Sequence, residues 1–277
     1  LSEQKDKLLK LREIAGQGES VSINALLPNH TPEIAPGTGL AHLQEVPNIH
    51  YGWYTHLQAM GYPCTNYPQI DKIDPGQIYA LSGPSVWAIE DTQLQEILKH
   101  TCALIDASAA DVINQRGLGH LIGLDKISWY SHNDHPFSFQ QAVTNDPNSI
   151  PQRSSLNKID KCSDYKIAVF RANKQTRVKT QVIDCDLKSM GTGMYTYENA
   201  DGGKGLVIPT PLPAPHRYYD WTKKAWFDQI FDQLCGEDLY VPRLLNAPWV
   251  YISARSGPQR KTIFLSSCMC EVMDKLE

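Results

Sequence analysis

The stretch Gln77-Ile-Tyr-Ala-Leu-Ser-Gly-Pro-Ser-Val-Trp-Ala-Ile-Glu90-Asp-Thr-Gln-Leu-Gln-Glu-Ile-Leu-Lys-His100-Thr-Cys-Ala-Leu-Ile-Asp106 decides the fold. Its first apolar run, residues 77–81, is strand-sized and ends in Ser82-Gly83-Pro84-Ser85, the chemistry of a tight loop. Residues 90–100 carry apolar side chains at helical spacing behind acidic residues, which favour a helix start. Residues 102–106 form a second short apolar run with a polar end. The order predicts two adjacent parallel strands joined by a right-handed crossover, with the helix packed across them.

The pattern extends outward on both sides. After Asp106, alanines with Val112 and Ile113 predict a short helix ending at Gly117. Upstream, Leu8, Leu9, Leu11 and Ile14 suggest an amphipathic connector helix within residues 1–19, terminated by Gly16 and Gly18. Residues 21–27 read as a strand, 28–39 as a Pro- and Gly-rich loop, and 49–60 as a helix stopped by Gly61. Downstream the alternation dissolves from about Asp125, and residues 166–170 and 177–183 read as strands, so a β excursion is expected over about 125–190. Residues 193–198 and 204–208 flank Asn199-Ala-Asp-Gly-Gly203, where Asn, Asp and Gly supply the positive φ of a hairpin. Residues 218–234 place Trp221, Ala225, Phe227, Ile230, Phe231 and Leu234 near helical spacing, a helix that should pack on the sheet. Residues 249–254 and 261–266 bracket Ser256-Gly257-Pro258, a second hairpin and the start of a small β module over residues 246–277.

Composition narrows the function less than the fold. A chain of 277 residues with 42% hydrophobic residues can bury a large core, and a net charge of -4 supplies no basic field for nucleic acid. No apolar run reaches the roughly 18 residues of a membrane span, and the first 16 residues lack the apolar centre of a signal peptide. A soluble protein is expected, exported to the periplasm or beyond only if a parent chain carries a signal. Leu276-Glu277 matches the junction that precedes a purification tag, with natural ends as the alternative. The seven cysteines show no C-x-x-C spacing, which argues against a zinc ribbon or a thioredoxin-like motif. Most are expected to be small buried hydrophobes.

Two stretches carry a family resemblance. Ala103-Leu-Ile-Asp-Ala-Ser-Ala-Ala-Asp-Val-Ile-Asn-Gln-Arg-Gly-Leu-Gly-His-Leu-Ile-Gly123, a strand ending in Asp followed by alanines, R-G-L-G and L-x-G, resembles a pattern in accessory domains of glycoside hydrolases. Glu198-Asn199 followed by Gly202-Gly203-Lys204-Gly205 resembles the end of the same domain, similar to family 42 β-galactosidases. There a catalytic barrel precedes a class I glutamine-amidotransferase-like domain, often called the trimerisation domain, and a small β domain follows. The resemblance implies a flavodoxin-like or amidotransferase-like parallel sheet with helices on both faces over residues 20–245. It also implies a non-catalytic, oligomerising role and an N-terminal barrel as partner. A barrel needs about 250 residues of β/α repeats, and the carboxylate pair of glycoside hydrolysis would lie on it. The chain departs from true amidotransferases because no Cys occupies a G-x-C-x-G strand-to-helix elbow. Two other readings stay open: a free-standing module that binds a small molecule or sugar, and a hydrolase with an unrecognised Cys or Ser nucleophile.

Each candidate site residue has a bland alternative. Asp106 follows a strand where open α/β sheets bind ligands, or it caps the next helix. Ser82 and Ser85 hold the equivalent place after the previous strand, or are turn chemistry without a general base. His50, Trp53 and Tyr54, with Tyr51, could meet sugar or another subunit, or pack in the core. Tyr218, Tyr219, Trp221 and Trp226 carry the same ambiguity. His132-Asn133-Asp134-His135 holds metal-ligand types without zincin spacing, and an exposed loop is the expectation. Asp184-Cys185-Asp186 reads as strand-end polarity, and Gly117-x-Gly119 and Gly202-Gly203 lack phosphate-loop spacing. No catalytic residue, metal or cofactor is assigned.

Overall fold

The computed structural model describes residues 19–20, 22–26, 52–67, 72–131, 137–142, 156–158, 166–212, 221–236, 241–245, 250–257 and 261–267. The opening helix, the loop at 28–39, His50, Tyr51, residues 132–135, Tyr218 and Tyr219 lie outside them. Contacts divide the chain into two compact units, one of Leu1–Ile23, Leu57–Thr65 and Val241–Glu277, the other of Asn24–His56 and Asn66–Tyr240.

The chain passes through β1 (Glu19–Ser20), β2 (Ile23–Leu26), α1 (Gly52–Ala59), β3 (Cys64–Tyr67), β4 (Ile78–Leu81), α2 (Gly83–Trp87), α3 (Asp91–His100), β5 (Cys102–Ile105) and α4 (Ala107–Gln115). It continues through β6 (Leu124–Ser131), β7 (Phe137–Ala142), β8 (Leu156–Lys158), β9 (Lys166–Ala172), β10 (Thr176–Val178), β11 (Thr180–Asp184) and β12 (Ser189–Thr192). It closes with β13 (Tyr195–Glu198), β14 (Lys204–Val207), α5 (Trp221–Cys235), β15 (Val250–Ser256) and β16 (Lys261–Ser267).

The larger unit is α/β. Among the described residues its main sheet has seven strands in the order β10-β13-β14-β5-β4-β2-β3. β4 and β5 are adjacent and parallel, with Ile78 opposite Cys102 and Leu81 opposite Ile105, as the apolar-run order predicts. β2 lies parallel to β4, and β14 parallel to β5. The sheet turns mixed at β13, which pairs antiparallel with both β14 and β10.

Helices cover both faces because alternate residues of a strand point opposite ways. Ala103 and Ile105 pack with Leu94, Ile97 and Leu98 of α3 and with Ala109, Ala110, Val112 and Ile113 of α4 in one core. Cys102 faces the other way and hydrogen-bonds the thiol of Cys235 at the end of α5. The expected loop at Ser82 to Ser85 is instead the start of a short helix, α2, because Ser85 folds back to cap it.

Among the described residues the β excursion is a six-stranded antiparallel sheet in the order β6-β9-β12-β11-β7-β8. Ala168 and Phe170 of β9 join the core under α4, and the Trp129 indole of β6 donates to Asp111 Oδ2 of α4 at 2.8 Å. The single strand expected at 177–183 is two strands in two sheets. Lys179 sits at the break, where its amide and that of Thr180 both donate to the Met194 carbonyl. A run without Gly or Pro carries no mark of that sheet change.

In the smaller unit, β1, β15 and β16 form a three-stranded sheet, and β15 and β16 are the expected hairpin, paired from Val250 with Ser267 to Ser256 with Lys261. Among the described residues no helix is long and apolar enough to cross a membrane.

Arg116 explains the R-G-L-G stretch. Its Nη1 donates to the carbonyls of Val86 and Ile89 at 2.9 and 2.8 Å, its Nε lies 3.2 Å from Asp91 Oδ1, and its guanidinium covers the Trp87 ring at 5.8 Å. One side chain thus ties the ends of α2, α3 and α4. Arg116→Ala is expected to cost about 1–3 kcal/mol, since two carbonyls lose a charged donor. The check is a lower urea midpoint at unchanged m-value.

Candidate functional site

Parallel strands in an open α/β sheet deliver their carboxyl ends, and the residues after them, to one edge where ligands usually bind. Here that edge holds Ser82 after β4, Asp106 after β5 and residues 208–212 after β14. Asp106 has ordinary extended backbone, φ -80° and ψ 167°, so the position has none of the strain of a nucleophile elbow. Its Oδ1 accepts the Ala109 amide at 2.7 Å, capping α4, and the Gly83 amide at 3.2 Å, binding the loop before α2. The amides of Leu212 and Ser108 also act on the carboxylate.

Asp106 is only 3% exposed. Burial pushes its carboxyl up to about 7, while the four amides pull it down. A raised carboxyl at a strand end is also what an active site would show. The geometry supports the cap, because the acceptor oxygen is already divided between two loops. Backbone bonds finish the knot: Asp106 N–H to the Leu81 carbonyl at 3.2 Å, Ile208 N–H to Ile105 at 3.0 Å, and Ala107 N–H to Thr210 at 3.4 Å.

The serines are spent in the same way. Ser82 Oγ accepts the Trp53 amide at 3.0 Å. Ser85 Oγ donates to the Ser82 carbonyl at 2.6 Å and accepts the Ser82 amide at 3.2 Å. Both residues are buried, and among the described residues neither hydroxyl hydrogen-bonds a carboxylate or an imidazole. Gly52 lies so close over Ser82 that a Cβ there would overlap the hydroxyl, which fixes the start of α1 against the strand end.

Trp53 is 1% exposed and packs edge-on to His56 and tilted against Phe227 of α5. An enclosed ring presents no face to a sugar, so Trp53 takes the core alternative. Tyr54 is half-buried, and His50 lies outside the described residues. Trp226 is buried as well, together with Phe227, Ile230, Phe231 and Leu234. Among the described residues no group of three or more His, Cys, Asp or Glu could hold a metal ion. Asp184 does end β11, and its Oδ1 accepts the amides of Asp186 and Lys188, leaving Cys185 exposed in the turn.

Asn199 was legible only as a turn residue, and it does more. Its Nδ2 donates to the carbonyls of Leu98 and Leu121 at 2.8 and 3.1 Å, and its Oδ1 accepts the amides of Asp201 and Gly203 at 3.1 and 2.9 Å. All four hydrogen-bonding positions of one amide are filled. It closes the β13–β14 hairpin and clamps it to α3 and to the 3-10 turn Gly119–Ile122. The two sequence stretches that carry the family resemblance therefore meet at this residue. Asn199→Ala is expected to lower stability by about 2–3 kcal/mol, seen as a fall in unfolding midpoint, because buried carbonyls and amides lose partners together.

No family model matches the chain, and no curated protein matches it. Similar solved structures include PurLQS from Thermotoga maritima, at 14% identity and TM-score 0.42, covering 77% of this chain and 99% of that one. The carbohydrate deacetylase Agd3 aligns at 8% identity and TM-score 0.44, over 77% of this chain and 33% of Agd3. The N-terminal domain of mmIFT52 aligns at 13% identity and TM-score 0.42, over 79% and 100%. At these identities and scores no residue role transfers.

Proposed function

We propose that the chain is a non-catalytic accessory module that shapes or holds together a larger carbohydrate-active enzyme. One observation carries the non-catalytic part: at the strand ends, Asp106 and Ser82 are committed to the chain's own amides at 2.7 to 3.2 Å. The link to a glycoside hydrolase rests on the resemblance at 103–123 and 198–205, and the catalytic barrel is the partner it names.

Purified protein is expected to unfold cooperatively yet to hydrolyse neither nitrophenyl glycosides nor glutamine above a heat-killed control. Turnover that Ser82→Ala, Ser85→Ala or Asp106→Asn abolishes would replace this reading with a hydrolase. The holding role has its own test. The apolar side chains of Trp53, Leu57, Trp226, Phe227 and Phe231, on the two helices that sequence nominates for association, are buried within the chain. Assembly in this reading therefore uses other faces, in a closed symmetric form. Light scattering over a hundredfold concentration range is expected to show mass rising with concentration. A constant monomer mass would reduce the role to that of a spacer.

A further inference from the structure

We propose a second site on this chain, a groove for a small phosphate-bearing ligand of sugar size on the sheet face beside α5. It lies away from the carboxyl-end knot and is independent of the accessory reading.

Strand register builds it. Arg177 of β10 pairs with Thr196 of β13, so the two side chains share a face. Glu198 of β13 pairs with Lys204 of β14, which pairs in turn with Cys102 of β5. Cys102 meets Cys235 of α5, so this is the face that α5 covers. α5 packs on β14, and β13 and β10 stand beyond it. The uncovered strip becomes the floor of a cavity of about 510 Å³, and Gln233 and Leu234 of α5 supply a wall. That volume is in the range of small-molecule sites, roughly 300–1,000 Å³.

The charge in the cavity points to the ligand. Among the described residues, Arg177, Lys179 and Lys204 line it with one carboxylate, Glu198, within a chain whose net charge is -4. Lys179 is 3% exposed, and its Nζ is held by Gln233 Oε1 at 3.0 Å. Among the described residues neither Arg177 nor Lys204 forms an ion pair, although Glu198 stands directly opposite Lys204. A guanidinium fork with two point charges suits a phosphate dianion better than a lone carboxylate. The Thr196 hydroxyl suits a hydroxyl of a sugar. The three cations line one cavity, which fits a small anion rather than a polymer.

The test is calorimetric titration of the full chain with glucose 6-phosphate, inorganic phosphate and glucose, alongside a short single-stranded RNA. Saturable binding of glucose 6-phosphate, weaker binding of inorganic phosphate and none of glucose are expected. Arg177→Gln and Lys204→Gln should each weaken it about tenfold or more. Glu198→Gln should tighten it, and all three unfolding midpoints should stay near that of the parent chain. Absence of saturable binding of either phosphate, equal binding in R177Q and K204Q, or preference for RNA would overturn the proposal.

Discussion

Asp106→Ala is expected to destabilise the chain by about 2–4 kcal/mol, the loss of a helix cap compounded by a second buried amide left without an acceptor. The reason is geometric: the same oxygen serves Ala109 and Gly83, so its removal frees two loops at once. Asp106→Asn keeps an acceptor oxygen and should cost about 1 kcal/mol. The pair also isolates a pH dependence. In the folded chain the carboxyl titrates at about 7, raised first by burial. In the unfolded chain it titrates near the ordinary value of about 3.9. The folded form therefore holds this proton more tightly. The resulting stabilisation is complete below the unfolded titration and is lost as pH rises through the folded one, by at most about 1.4 kcal/mol per pH unit. Urea unfolding from pH 4 to 8 should show the parent chain losing stability relative to Asp106→Asn over that window. A difference that grows the other way would mean that the four amides outweigh burial.

Gly203→Ala should be the more damaging of two neighbouring substitutions. A Cβ at Gly203 would overlap the Leu98 carbonyl oxygen and lie 2.8 Å from the carbonyl carbon and oxygen of Lys99. These are backbone atoms at the end of α3, and Asn199 already locks them to the hairpin, so nothing nearby can yield. A loss of about 3 kcal/mol or more is expected, enough to reduce soluble yield. Gly202 has φ +93° and nothing within 4 Å of a Cβ. Gly202→Ala therefore meets only backbone strain, about 1–2 kcal/mol. Thermal midpoints of the two variants should differ clearly. Equal losses would mean that turn conformation, not the close approach to α3, governs the hairpin.

The segments that were legible in sequence share one property: their burial leaves a period. Residues 78–81 and 102–105 are apolar throughout because both faces of β4 and β5 are covered, and α3 shows its buried stripe of Leu94, Ile97 and Leu98. One hairpin shows in Asn199, Asp201 and the glycines of its turn, the other in Ser256-Gly257-Pro258. What stayed hidden depends on partners distant in sequence. β6 is half-exposed along most of its length, and its sheet is built from antiparallel neighbours that no local pattern names. The change of sheet at Lys179 leaves no composition mark, since no Gly or Pro interrupts Thr176 to Asp184. At the site, the cap reading of Asp106 was available from its place before a helix. Its bond to Gly83, 23 residues away, was not. The cations of the groove lie on β10, β14 and the break after β10, and only strand register brings Arg177, Lys179 and Lys204 together.

Native-state hydrogen exchange reads, amide by amide, how far the strand-end groups are committed to the fold. The amides of Trp53, Gly83 and Ala109 donate to Ser82 and Asp106. They should exchange at rates close to those of the β4 and β5 core, through global unfolding only. In Asp106→Ala the Gly83 and Ala109 amides should lose that protection, while Trp53 keeps it. Fast exchange of all three in the parent chain would show Ser82 and Asp106 free to meet a ligand, and would contradict the structural reading of this edge.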